Sequence, residues 1–208
     1  MKSRLTQLTA PLARHADALF GGLLAAAGLL AYTSTLAPTV LEGDAALFQY
    51  TPSVLGVTYP TGYPLYILLS KVWVTLLPWG ELAWRMNLLS AVCAALALPL
   101  LYGVAVRLYG SERWLARWAA VAAVLLLATL PTFWRWATEA KIYALNMLLL
   151  SGVLLSLLGA VERYRRPELL PASQTMLTGW QLALNRWRAR WPLALPIFLF
   201  GLEIAVHS

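Results

Sequence analysis

Glu42 and Asp44 flank a glycine in the frame Leu41-Glu42-Gly43-Asp44, inside the longest polar interruption of a strongly apolar chain. An ionised carboxylate at a membrane boundary is costly to desolvate, so it sits there for a reason. Two kinds of chemistry suit the pair. One is a general base that takes a proton from an acceptor hydroxyl; the other is a ligand set for a divalent cation. A solvated loop acid, or an N-cap for a helix starting at Ala45, accounts for the same residues without function. A second group is Glu139 and Lys141 in Thr138-Glu139-Ala140-Lys141. Glu139 serves either as a further carboxylate or as a partner of the macrodipole of the following helix. Lys141 is a point charge suited to a phosphate. A third is Glu203 and His207, four apart and therefore on one helix face, where the acid can orient an imidazole.

These residues need a membrane scaffold. The chain has 208 residues, of which 60% are hydrophobic and 12% charged. A soluble domain carries about twice that share of charge. Apolar runs longer than a core helix place the chain among all-α, multi-pass integral membrane proteins. Five spans are expected, over about Ala18–Leu36, Asn87–Val106, Leu115–Leu130, Ile142–Ala160 and Trp191–Val206. Leu65–Leu77 is different. Pro64 and Pro78 bound it, Lys71 interrupts it, and its length of about 20 Å falls short of a hydrocarbon core of about 30 Å. It reads as an interfacial helix within a long loop, 37–86. Pro131–Lys141 reads as a short polar link.

Charge decides the orientation. If Leu65–Leu77 does not cross, twelve of the sixteen Lys and Arg residues fall on one side, including six arginines in the basic segment 161–190. Lys71, Arg85, Arg135 and Lys141 fall on the other. The positive-inside rule then puts the N-terminus and the basic segment in the cytoplasm. It puts Glu42, Asp44, Glu139 and His207 together on the extracytoplasmic face. The net charge of +7 follows this distribution and is not the footprint of a nucleic-acid binder. Cys93, the single cysteine, lies in an apolar run and excludes an internal disulfide. No P-loop, GxGxxG, GxSxG or Cys/His metal cluster occurs, and no internal repeat marks a transporter.

An ordered series of short stretches adds to this. Gly43-Asp44, the run Tyr59 to Tyr66 (YPTGYPLY), the run Ala83 to Ala91 (AWRMNLLSA), Thr132-Phe133-Trp134 with Tyr143-Ala144-Leu145-Asn146, and Gly201 with His207 stand in the order seen in a family of multispanning GT-C-type glycosyltransferases that includes protein O-mannosyltransferase-like members. The sequence resembles that family over nearly its whole length after residue 30. The resemblance implies a GT-C-like helix bundle with interfacial helices in its first outer loop. It implies transfer of a sugar, mannose among the candidates, from a polyprenyl-phosphate donor to a hydroxyl on a protein or glycan. By position, Asp44 corresponds to the acid that acts as base or metal ligand; Glu42, Glu139 and His207 would form a second site. A cation or amide among Arg85, Lys141 and Asn146 suits the donor phosphate, although Arg85 serves better as an interfacial anchor for its span. The sequence departs from the family pattern at Leu47, Tyr59, Lys141 and Val206, where the family favours an acid, a histidine, an acid and an asparagine. Members of the family carry more spans, so the chain is expected to be an N-terminal piece. The rival expectation is a non-catalytic protein that binds the lipid carrier or serves in assembly.

Overall fold

The structure, a computed structural model, describes residues 2–110, 114–164 and 193–206, with side chains over 15–110, 114–162 and 193–206. All regular structure there is helical. The helices are α1 (Lys2–Ser34), α2 (Asp44–Tyr50), α3 (Pro64–Leu76), α4 (Leu82–Tyr109), α5 (Trp114–Thr129), α6 (Pro131–Thr138) and α7 (Ile142–Tyr164). A last helix, α8, covers Leu193–Val206. A 3-10 turn, Thr51–Val54, follows α2. The all-α membrane helix bundle expected from composition is therefore what the chain forms. Among the described residues, three helices are long and apolar enough to cross a membrane: His15–Ser34 of α1, α4 and Ile142–Glu162 of α7. A fourth span results if α5 and α6, bent by 68° across Leu130, are taken as one.

α4 is the central element, packed chiefly against α7 and α1 and also touching α5 and α6. Its sequence explains this place. Ala91, Ala94, Ala95 and Ala97 give it a thin face, all of them buried, so neighbouring backbones approach closely. The approach is closest at Gly28 of α1, where an added Cβ would stand 2.6 Å from Leu98 Cδ1. In lipid, where apolar surface gains nothing by leaving the tails, such van der Waals fit is what holds helices together.

The long loop carries two short helices, α2 and α3. α3 spans thirteen residues, within one position of the expected interfacial helix. Its lysine is accounted for by the 3-10 turn, because Lys71 Nζ donates to the Ser53 carbonyl at 2.5 Å. Its C-terminal carbonyls are covered too: Arg85 Nη1 donates to Val74 O at 3.0 Å and to Leu77 O at 2.8 Å. Cations at a helix C-terminus also complement its dipole. The stretch expected as a polar link is instead a helix. Pro131 sits at its first position, where the missing N–H costs nothing, and Leu130 before it is extended. The bend follows, since proline disfavours α geometry in the residue it succeeds.

At the end of the bundle away from this loop, Asp17 and Arg117 pair across a hundred positions. Arg117 Nε reaches Asp17 Oδ1 at 2.8 Å, and its Nη2 reaches Oδ2 at 3.3 Å. Tyr102 donates to the same Oδ1 at 2.9 Å. The basic segment expected over 161–190 lies outside the described residues from 165 onward.

Candidate functional site

Asp44 stands at the loop end of the bundle. α2 begins at Asp44 itself, with Gly43 as its N-cap at φ 66°, a left-handed conformation that glycine enters without a Cβ clash. The carboxylate is thus in the first helical turn, where the macrodipole favours negative charge, and not at the capping position. The Tyr59 hydroxyl donates a hydrogen bond to Asp44 Oδ1. Asp44 is exposed, as is Glu42 in the turn before it.

Tyr59 is itself held by an aromatic nest. Phe48 of α2 lies against Tyr59, Tyr63 and Tyr66, and Tyr59 meets Tyr63 edge to face. Tyr63 takes φ 49°, unusual for a bulky side chain, in the turn Gly62-Tyr63-Pro64 that starts α3. The Asp44 carboxylate raises the pKa of Tyr59, first through the hydrogen bond, since a phenolate there would lose its acceptor and face a like charge. Tyr143, at the start of α7, adds to the same rise.

The junction between α6 and α7 holds Glu139 and Lys141. Lys141 Nζ lies 2.8 Å from Glu139 Oε2, and Arg135 Nε lies 3.1 Å from Oε1. Partial burial would push the Glu139 carboxyl up; the two cations outweigh it and hold it below its ordinary value. Trp136 and Tyr143 stand beside the pair with ring centroids 5.2 Å apart. Asn146 follows on α7, with its Oδ1 buried and without a hydrogen-bond partner.

The other expected residues fall elsewhere. Arg85 gives its Nη1 to the end of α3. Glu203 is half-buried on α8, and His207 lies outside the described residues. Among the described residues no three His, Cys, Asp or Glu side chains gather as a ready cation site.

Two residues absent from the sequence expectation join these segments. Gln49 is 2% exposed and Asn87 is fully buried. Gln49 Nε2 donates to Asn87 Oδ1 at 3.0 Å, and Gln49 Oε1 accepts from the Leu41 N–H at 3.0 Å. Asn87 Nδ2 donates to Ala37 O at 3.1 Å, and its Oδ1 also accepts from the Ala140 N–H at 2.9 Å. Polar residues in apolar helices were the available signal: Asn87 opens the expected second span.

Comparison with known proteins bears on the same segments. The family model described as protein O-mannosyl-transferase TMEM260 N-terminal domain matches residues 44–208, a region that opens on Asp44. The protein O-mannosyl-transferase TMEM260 of Mus musculus is 36% identical over 144 residues, covering 69% of this chain and 20% of the mouse protein. The protein O-mannosyl-transferase tmem260 of Dictyostelium discoideum is 25% identical over 129 residues, 59% of this chain and 15% of its own length. The matched regions are thus a fifth or less of those curated relatives. No solved structure matches. With four-fifths of its residues inside the family model, the chain belongs to the protein O-mannosyl-transferase TMEM260 N-terminal domain family.

Proposed function

We propose that the chain carries the acceptor-activating half of a membrane glycosyltransferase that moves a hexose, mannose in the first instance, from a polyprenyl-phosphate donor to a hydroxyl on a protein or glycan. The acceptor oxygen attacks the anomeric carbon while Asp44 takes its proton. The bond from that carbon to the phosphate oxygen breaks, and polyprenyl phosphate leaves with the electron pair. One displacement of this kind inverts the anomeric centre. Lys141 and Asn146 offer a cation and an amide to the leaving phosphate, while Tyr59 orients the Asp44 carboxylate. The topology that goes with this has five spans, with the N-terminus cytoplasmic and the loop end outside.

The observation that carries the proposal is the position of Asp44. An exposed carboxylate is held by one tyrosine at the first turn of α2, and α2 is tied through Gln49 and Asn87 to the Ala140 N–H between Glu139 and Lys141. The test uses the full chain in membranes with a radiolabelled polyprenyl-phosphate mannose and a hydroxyl acceptor, wild type against Asp44→Asn. Loss of the general base costs about 100-fold or more in transfer. Equal transfer by both proteins overturns the assignment of Asp44. Carrier binding without transfer by either one replaces the enzyme with a carrier-binding protein.

A further inference from the structure

We infer that Asn87 is the positioning residue that sets the α2 turn, with Asp44, against the α6–α7 junction, with Glu139 and Lys141. The inference rests on the transferase reading of that site.

The structure concentrates the connection in one amide. Asn87 reaches four points through its own bonds and those of Gln49: Gln49 in α2, the Ala140 N–H between Glu139 and Lys141, the Ala37 carbonyl at the end of α1's exit turn, and, through Gln49, the Leu41 N–H next to Glu42. Each candidate acid is therefore within a few bonds of a backbone or side-chain group that Asn87 fixes. Both amides are buried, so water cannot substitute for a lost partner, and a broken bond leaves a polar group unsatisfied. An aliphatic side chain of similar volume fills the same space but sets no register between the segments. The central helix α4, on which Asn87 sits, is the most buried of the spans and provides the fixed reference.

This arrangement has a chemical purpose in a two-substrate transfer. The base and the phosphate-binding group must address opposite sides of one anomeric carbon. A displacement of about 1 Å between them is enough to cost on the order of 100-fold in rate. Asn87 touches neither substrate in this scheme; it acts through the two segments it holds.

The test reads distance and rate separately. Spin labels go on Leu47→Cys in α2 and Thr132→Cys in α6, both exposed positions outside the site, with the native Cys93 buried. The otherwise unaltered chain gives one narrow distance distribution. Asn87→Leu broadens or shifts it, and in the unlabelled chain lowers kcat about 100-fold with KM changed less than roughly threefold. Asn87→Asp, which keeps both acceptor bonds, gives an intermediate loss. Gln49→Leu cuts the bonds to Asn87 and to the Leu41 N–H, leaves the Asn87 bonds to Ala37 and Ala140 in place, and carries the test if Asn87→Leu does not fold. An unchanged distance in Asn87→Leu or Gln49→Leu overturns the inference. So does a broadened distance with unchanged kcat in a chain that Asp44→Asn inactivates. If the wild type transfers no sugar, the transferase reading fails, and the label distances alone still decide whether Asn87 holds the two segments together.

Discussion

Replacing Asp17 with asparagine should destabilise the protein more than replacing its partner Arg117 with methionine, although each removes the same ion pair. The two side chains are unequally desolvated: the Arg117 side chain is 4% exposed and that of Asp17 is 32% exposed. In Asp17→Asn a buried guanidinium loses a carboxylate held by two hydrogen bonds and keeps its other contacts, among them the Trp114 ring 5.4 Å away. Breaking a buried pair from one side costs about 3–5 kcal/mol, and this variant belongs near the lower limit because the pair is only partly enclosed. In Arg117→Met the remaining carboxylate keeps the Tyr102 hydroxyl and turns toward water or headgroups, so the loss is about 1–2 kcal/mol, discounted for that exposure. Equilibrium unfolding in mixed detergent micelles at constant pH measures both. The double variant Asp17→Asn with Arg117→Met should be less damaged than the sum of the single variants. Equal losses, or a larger loss in Arg117→Met, would refute the claim that desolvation of the guanidinium dominates.

Three further outcomes follow from the geometry. Tyr59→Phe removes the donor to Asp44 and leaves the ring in its nest, so transfer should fall roughly tenfold, the worth of one hydrogen bond, while the melting temperature moves little. Glu139 has a folded pKa below its ordinary value of 4.5, so it contributes stability above that pH and the contribution disappears as pH falls through the lower folded value. Lys141→Met should narrow that acid transition by returning the Glu139 pKa toward 4.5, as followed by carboxyl NMR. Gly28→Ala places a methyl against Leu98 and should cost about 1–3 kcal/mol in the micelle assay. Adding Leu98→Ala should relieve part of the clash, making the pair less than additive.

Much of the loop was legible because its signals are local. Pro64, Pro78 and Lys71 mark α3 as a helix that starts, stops and keeps a charge within thirteen residues. What the sequence did not show is the partner of that charge, a carbonyl eighteen positions away. α6 was missed for a different reason. Its tryptophans and Arg135 lower the mean hydropathy, although Pro131 is a standard first residue of a helix. Asn87 and the Asp17–Arg117 pair depend on separations of tens of residues, and no periodicity reports these. The candidate site was half legible: Asp44 and Glu139 are acids near apolar boundaries, whereas the hydrogen bond from Tyr59 to Asp44 arises only when the turn at Tyr63 folds the tyrosine onto α2.

The 68° bend between α5 and α6 has a consequence for depth. Sixteen residues of α5 rise about 24 Å, short of a hydrocarbon layer of about 30 Å. Continued straight, the eight residues of α6 would carry Arg135 and the Glu139 junction about 12 Å further along the axis. Tilted as they are, they add only about 4 Å of height. The polypeptide therefore runs mostly sideways to the α5 axis after Leu130. Its charged Glu139–Lys141 junction is thus kept near the level at which α5 ends, instead of being carried a further turn or two along the axis.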